Sequence, residues 1–150
     1  MRTKLLIAAV AVALGGASLQ ALAQAKPDVL VKQRQAAMTL QGKYLGSIGA
    51  MLKGAVPYNA DVVSRNATFL ENLARMPWDG FDPSTSGEKS KTKPETYKEM
   101  AKFTAAADTL VAETGKLGTV ARAKDEAGVR AAFGGVAKAC GSCHDAYREK

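Results

Sequence analysis

Asp125 to Arg148 reads DEAGVRAAFGGVAKACGSCHDAYR. Asp125 suits a helix N-cap, because its carboxylate can accept from the free N–H groups of the first turn. Val129, Ala132, Phe133, Val136, Cys140, Cys143, His144 and Tyr147 recur at steps of three and four. That spacing places them on one face of a helix. The stretch therefore predicts a helix with one buried face. It also holds both cysteines and the single histidine of the 150 residues.

Three further helical patterns lie outward from it. The first spans about Pro27 to Leu52, with Pro27 in the first turn and Asp28 complementing the dipole. Its face is Leu30, Arg34, Ala37, Met38, Gln41, Leu45, Ile48 and Leu52, and Gly54 and Pro57 end it. The second spans about Ala60 to Arg75, with Asn59 as N-cap and Pro77 as its stop. Val62, Val63, Asn66, Phe69, Leu70 and Leu73 form its face. A polar connection, Trp78 to Lys93, carries turn residues and alternating lysines. The third helix is expected from Pro94 to about Leu117, with Gly118 as C-cap. Tyr97, Met100, Thr104, Ala107, Val111 and Thr114 line it, widened by Phe103 and Leu110. No stretch alternates with the period of a half-buried strand. Four such helices, with two short links and one long one, predict an all-α, up-down-up-down antiparallel four-helix bundle.

Met1 to Ala23 is set apart from this pattern. Arg2 and Lys4 precede an apolar run, Leu5 to Leu14, that is too short to span a bilayer. Ala21-Leu22-Ala23 offers small residues for cleavage, so residues 1–23 read as a secretory signal peptide and 24–150 as one domain. An N-terminal membrane anchor is the weaker reading, since no stop-transfer pattern follows. Cleavage leaves 127 residues and lowers the net charge from +7 to +5. With 47% hydrophobic and 23% charged residues, the chain has globular rather than disordered composition. It is expected to be soluble and exported, without a stable membrane anchor. Nucleic acid is not an expected partner, because export removes it and no basic–aromatic interleaving appears.

Export sharpens the question of the cysteines. A disulfide closing so short a loop would constrain the unfolded chain little. On a helix, Cys140, Cys143 and His144 project together. Two thiols can add across the two vinyl groups of a porphyrin, and the adjacent imidazole can then reach the iron; Cys-x-x-Cys-His is the attachment signature of c-type haem. Three other uses stay open. Zinc would require a fourth ligand from a carboxylate. A thiol–disulfide oxidoreductase using Cys140 and Cys143 would normally place the pair where a helix begins, after a strand. The third is a chance motif in a structural helix. No acid–base pair or activated nucleophile is evident, so the chain does not read as a substrate-converting enzyme.

The whole of the region after the leader resembles the class II c-type cytochromes, most closely cytochrome c′. Cys140-Gly-Ser-Cys-His144-Asp-Ala-Tyr147-Arg148 looks like that family's C-terminal signature, and Arg34-Gln35-Ala36-Ala37-Met38 like its first-helix motif. Pro77-Trp78 with Phe81, and Thr92-Lys93-Pro94-Glu95, resemble its linker and third-helix entry. The resemblance implies a periplasmic protein with one haem c, attached near the end of the last helix through Cys140 and Cys143. His144 would be the proximal iron ligand, and Arg34, Gln35, Met38, Thr92 and Arg148 the haem's surroundings. It implies one-electron transfer with a redox partner protein, and a homodimer packed through the first two helices. Two outcomes diverge at Met38. In typical cytochrome c′ the haem is five-coordinate and admits nitric oxide or carbon monoxide. In the cytochrome c-556 type a methionine of this helix binds iron, and the protein is a plain electron carrier. Lys89, Lys91 and Lys93 would either be simply solvated or steer an acidic partner.

Overall fold

The computed structural model describes residues 25–150, and the expected leader lies outside them. Five helices follow in order: α1 (Pro27–Leu52), α2 (Ala60–Leu73), α3 (Glu95–Lys98), α4 (Met100–Arg122) and α5 (Glu126–Tyr147). The four long ones form an antiparallel four-helix bundle in the order α1, α2, α4, α5, with α2 packed on α1 and α4, and α4 on α5.

Local chemistry sets the helix ends. Pro27 opens α1. The Asn59 side chain accepts from the N–H groups of Asp61 and Val62 at 3.0 and 3.1 Å, and Asp125 accepts from Gly128 at 3.0 Å. At the end of α1, Gly54 takes φ +72°, Gly54 N–H donates to Met51 O and Ala55 N–H to Ala50 O. This pair of bonds is a Schellman ending, which needs the left-handed region that glycine enters without strain.

Two expectations about the third helix are corrected. It is interrupted: α3 is a single turn, and Glu99, at φ −117° and ψ 40°, breaks it from α4. It also runs through Gly118 to Arg122. The apolar face continues through Leu117 and Ala121, which are buried, and Gly118 lies in the side that receives the Glu71 carboxylate of α2. The helix ends instead on Lys124, at φ +56°, whose N–H donates to Ala121 O while Asp125 N–H donates to Val120 O.

The core gathers Ile48, Met51, Val63, Ala67, Leu70, Leu110, Leu117, Val129 and Val136. Three expected face residues are exposed, Phe69, Thr104 and His144. Phe69 is 41% exposed, its ring tilted 45° against Tyr44 with centroids 5.0 Å apart, and Thr104 is exposed while Phe103 is buried. The helical stripe on α4 is thus centred one residue earlier than Thr104 suggested.

The apolar core fills one end of the bundle. There Gly49 of α1 sits against the Phe133 ring of α5, where an added Cβ would meet the ring at 3.0 Å. Arg130 of α5 donates to Leu52 O at 2.7 Å. Toward the other end, α1 and α5 are separated by a cavity.

Candidate functional site

The cavity has a volume of about 520 Å³. Each wall comes from a different part of the chain. Arg34, Gln35, Met38 and Thr39 come from α1, and Cys143, His144 and Tyr147 from α5, with Arg148 just beyond it. Trp78, Phe81 and Phe103 supply an aromatic wall, and Ser90, Lys91 and Thr92 a polar one. Phe103 meets Tyr147 edge-on at 5.3 Å and Phe81 at 4.7 Å. Seven of the eight residues singled out from sequence therefore border one space. The eighth, Cys140, lies one turn before Cys143 on α5, half-buried and packed beside the hydrophobic core.

Burial raises both thiols above their ordinary range, and at Cys143 the neighbouring Cys140 adds to this. The pair also lies near the end of α5, away from the positive end of that helix. Both features disfavour the thiolate on which disulfide exchange depends. Burial, and then the charge of Arg148, lower His144. The neutral imidazole so favoured is the form that ligates a metal.

Arg34 is 3% exposed. Its Nη1 donates to Gly80 O, to Thr85 Oγ1 at 3.0 Å and to Tyr97 OH at 3.2 Å. Its Nη2 donates to Ser90 Oγ and Thr92 Oγ1, both at 3.1 Å, and the guanidinium lies 4.4 Å from the Phe81 ring centroid. Every one of these partners is neutral, and among the described residues no carboxylate forms an ion pair with Arg34. A buried cation without a counter-charge is costly, so the site favours an anionic group beside it. A flat apolar macrocycle with carboxylates on one edge fits an aromatic wall, a buried guanidinium and a Cys143–His144 edge.

The connection was expected to be a polar loop. It contains two 3₁₀ turns, Trp78–Phe81 and Pro83–Thr85, and then a run of turns and bends to Thr92. In that run Ser90 and Thr92 turn inward to Arg34, whereas Lys89 and Lys91 are exposed. Thr92 pairs with Arg148 as an isolated antiparallel bridge. Sequence reading missed Thr85 and Tyr97 as partners of Arg34, and Ser90 and Phe103 as cavity residues.

The family model described as Cytochrome C' matches residues 29–148. A cytochrome c' of Alcaligenes xylosoxydans xylosoxydans is 38% identical over 126 residues, covering 84% of this chain and 98% of that protein. A cytochrome c-556 of Agrobacterium tumefaciens is 32% identical over 120 residues, covering 80% and 97%. Among solved structures, cytochrome c prime from Shewanella frigidimarina superposes with a TM-score of 0.82 at 27% identity, covering 85% of this chain and 100% of that one. A nitric oxide complex of a cytochrome c prime variant from Alcaligenes xylosoxidans gives 0.79 at 38% identity, covering 85% and 99%.

Proposed function

The chain belongs to the cytochrome c′ family, and from that premise we propose an exported periplasmic cytochrome that transfers single electrons and binds nitric oxide or carbon monoxide at a five-coordinate haem. The family carries one covalently attached haem c, and its members are haem-binding electron-transfer and gas-binding proteins rather than enzymes. When bound, the haem supplies the one-electron couple and an iron with a free coordination position.

The observation that carries this reading is the single cavity bordered by Met38, Cys143 and His144. Cys140 and Cys143 are the residues for the two thioether links, and His144 for the proximal iron ligand. Met38, on the α1 wall of the cavity, would pack beside the haem without ligating its iron. Arg34 offers its charge to the haem's carboxylates, with Gln35 and Thr92 as polar neighbours on the same rim. Arg148 is exposed and one turn beyond His144, at the proximal edge. Trp78, Phe81 and Phe103 keep water from the macrocycle and hold its local dielectric low, which raises the weight of each nearby charge.

Residues 1–23 serve as the export signal, which brings the thiols to the compartment where haem is attached. The redox partner is a protein with an acidic surface, approached by the exposed Lys89 and Lys91 beside the cavity mouth. A homodimer forms through α1 and α2. Leu40 and Phe69 are 40% and 41% exposed, and Phe69 lines a groove of about 430 Å³ with Tyr44, Val62, Lys43 and Arg65 on those helices.

Haem staining of a denaturing gel tests the assignment of the cofactor. Protein matured in an exporting host is expected to keep its haem through denaturation. A chain that carries no stain after such maturation would leave the thiol–disulfide reading or a purely structural bundle.

A further inference from the structure

The contacts of Arg34 extend beyond the cavity wall. Thr85 and Tyr97 do not border the cavity, yet both receive hydrogen bonds from Nη1 and lie 3.0 Å from each other. Gly80 completes this anchor. A Cβ there would stand 2.8 Å from Arg34 Cβ and 3.0 Å from Leu30 O, so the chain can approach α1 this closely only at a glycine. Through Nη2 the same guanidinium holds Ser90 and Thr92. One side chain of α1 thus grips both ends of the 80–92 segment.

That segment in turn grips the end of α5. Lys93 N–H donates to Tyr147 O at 3.0 Å, and Glu149 N–H donates to Lys91 O at 2.7 Å. Lys93 Nζ donates to Asp145 O at 2.8 Å. Asp145 follows His144 directly, and Arg148 N–H closes the last helical turn on His144 O. A short chain of hydrogen bonds therefore joins Arg34 to the backbone on the C-terminal side of His144.

We propose that Arg34 is a positioning residue for His144, fixing the end of α5 against α1 through the 80–93 segment. This rests on the reading of His144 as the haem ligand. Arginine suits the task because its planar fork serves acceptors in several directions at once, whereas a lysine ammonium is a single point of charge on a flexible stem.

Thr85→Val and Tyr97→Phe, separately and together, test it, because they weaken the anchor without altering a cavity residue. They are compared with Arg34→Lys in the haem-loaded protein. Two readouts are taken: amide hydrogen exchange at Lys93 and Glu149, and the ferric electron paramagnetic resonance spectrum. The double variant and Arg34→Lys are each expected to speed exchange at both amides about tenfold or more and to shift the resonance in the same sense. Amides of Val63 and Leu70 in α2 are expected to keep their protection. A double variant with unchanged exchange and resonance would overturn the proposal, leaving Arg34 a direct haem contact only. Equal acceleration at Val63 and Leu70 would also overturn it, because the effect would then be general loss of stability. Failure of the haem reading itself is seen separately, as wild-type protein without covalent haem on a stained gel.

Discussion

Met38 of α1 and His144 of α5 both line the cavity, at a common level set at the closed end of the bundle. Each lies eleven residues from the contact between Gly49 and Phe133, Met38 toward the start of α1 and His144 toward the end of α5. At 1.5 Å per residue both are displaced by about 16 Å along antiparallel axes. The small–large pair that closes one end thus determines which residues oppose each other at the open end.

The attachment chemistry predicts a graded loss. Cys140→Ser or Cys143→Ser removes one thioether, and the double variant removes both. Haem-stained denaturing gels are expected to show no covalent haem in the double variant. His144→Ala keeps both thiols, so covalent haem is expected to survive while its absorption spectrum changes.

Gly80→Ala places a methyl group against Arg34 Cβ and Leu30 O. Neither neighbour can give way easily, because Arg34 is held by five partners and Leu30 O belongs to a helix backbone. The expected cost is about 1–3 kcal/mol, the ordinary range for overpacking. Denaturant unfolding of wild type and variant measures it.

Lys124 occupies the left-handed region at φ +56°, a position that costs a residue with a Cβ about 1–2 kcal/mol. Lys124→Gly relieves that strain but loosens the unfolded chain by about 0.4–1 kcal/mol. The ion pair lost with Asp61, 2.8 Å long and exposed on both sides, contributes little. A net gain of up to about 1 kcal/mol is expected, read as a higher unfolding midpoint.

The α1–α2 groove gives a prediction about assembly. Phe69→Glu replaces an exposed ring packed against Tyr44 with a charge. Sedimentation at micromolar concentration is expected to show dimers for wild type and monomers for the variant. Dimers in both would place the interface elsewhere.

The helices were legible because their buried faces repeat at helical spacing over three to seven turns, and α1, α2 and α5 begin where the caps at Pro27, Asn59 and Asp125 indicate. Gly118 misled because glycine serves two purposes. It ends a helix where positive φ is needed, and within α4 it admits the Glu71 carboxylate. Cys140, Cys143 and His144 stood out because they are neighbours in sequence. The ring of partners around Arg34 was hidden for the opposite reason. Thr85, Ser90, Thr92 and Tyr97 lie 51 to 63 residues from Arg34 and meet it only once the connection folds back. The lysines from 89 to 93 read as a solvated loop, which conceals that Ser90 and Thr92 between them turn to Arg34.

A haem bound by His144 is proposed to be open on its other face, toward Met38. The absorption spectrum of the ferrous protein before and after addition of carbon monoxide tests it most directly, with Met38→Ala measured beside wild type. Both proteins are expected to show high-spin bands that shift when the gas is added. A low-spin wild-type spectrum that carbon monoxide leaves unchanged, converted to a high-spin one by Met38→Ala, would contradict it and make Met38 the sixth ligand.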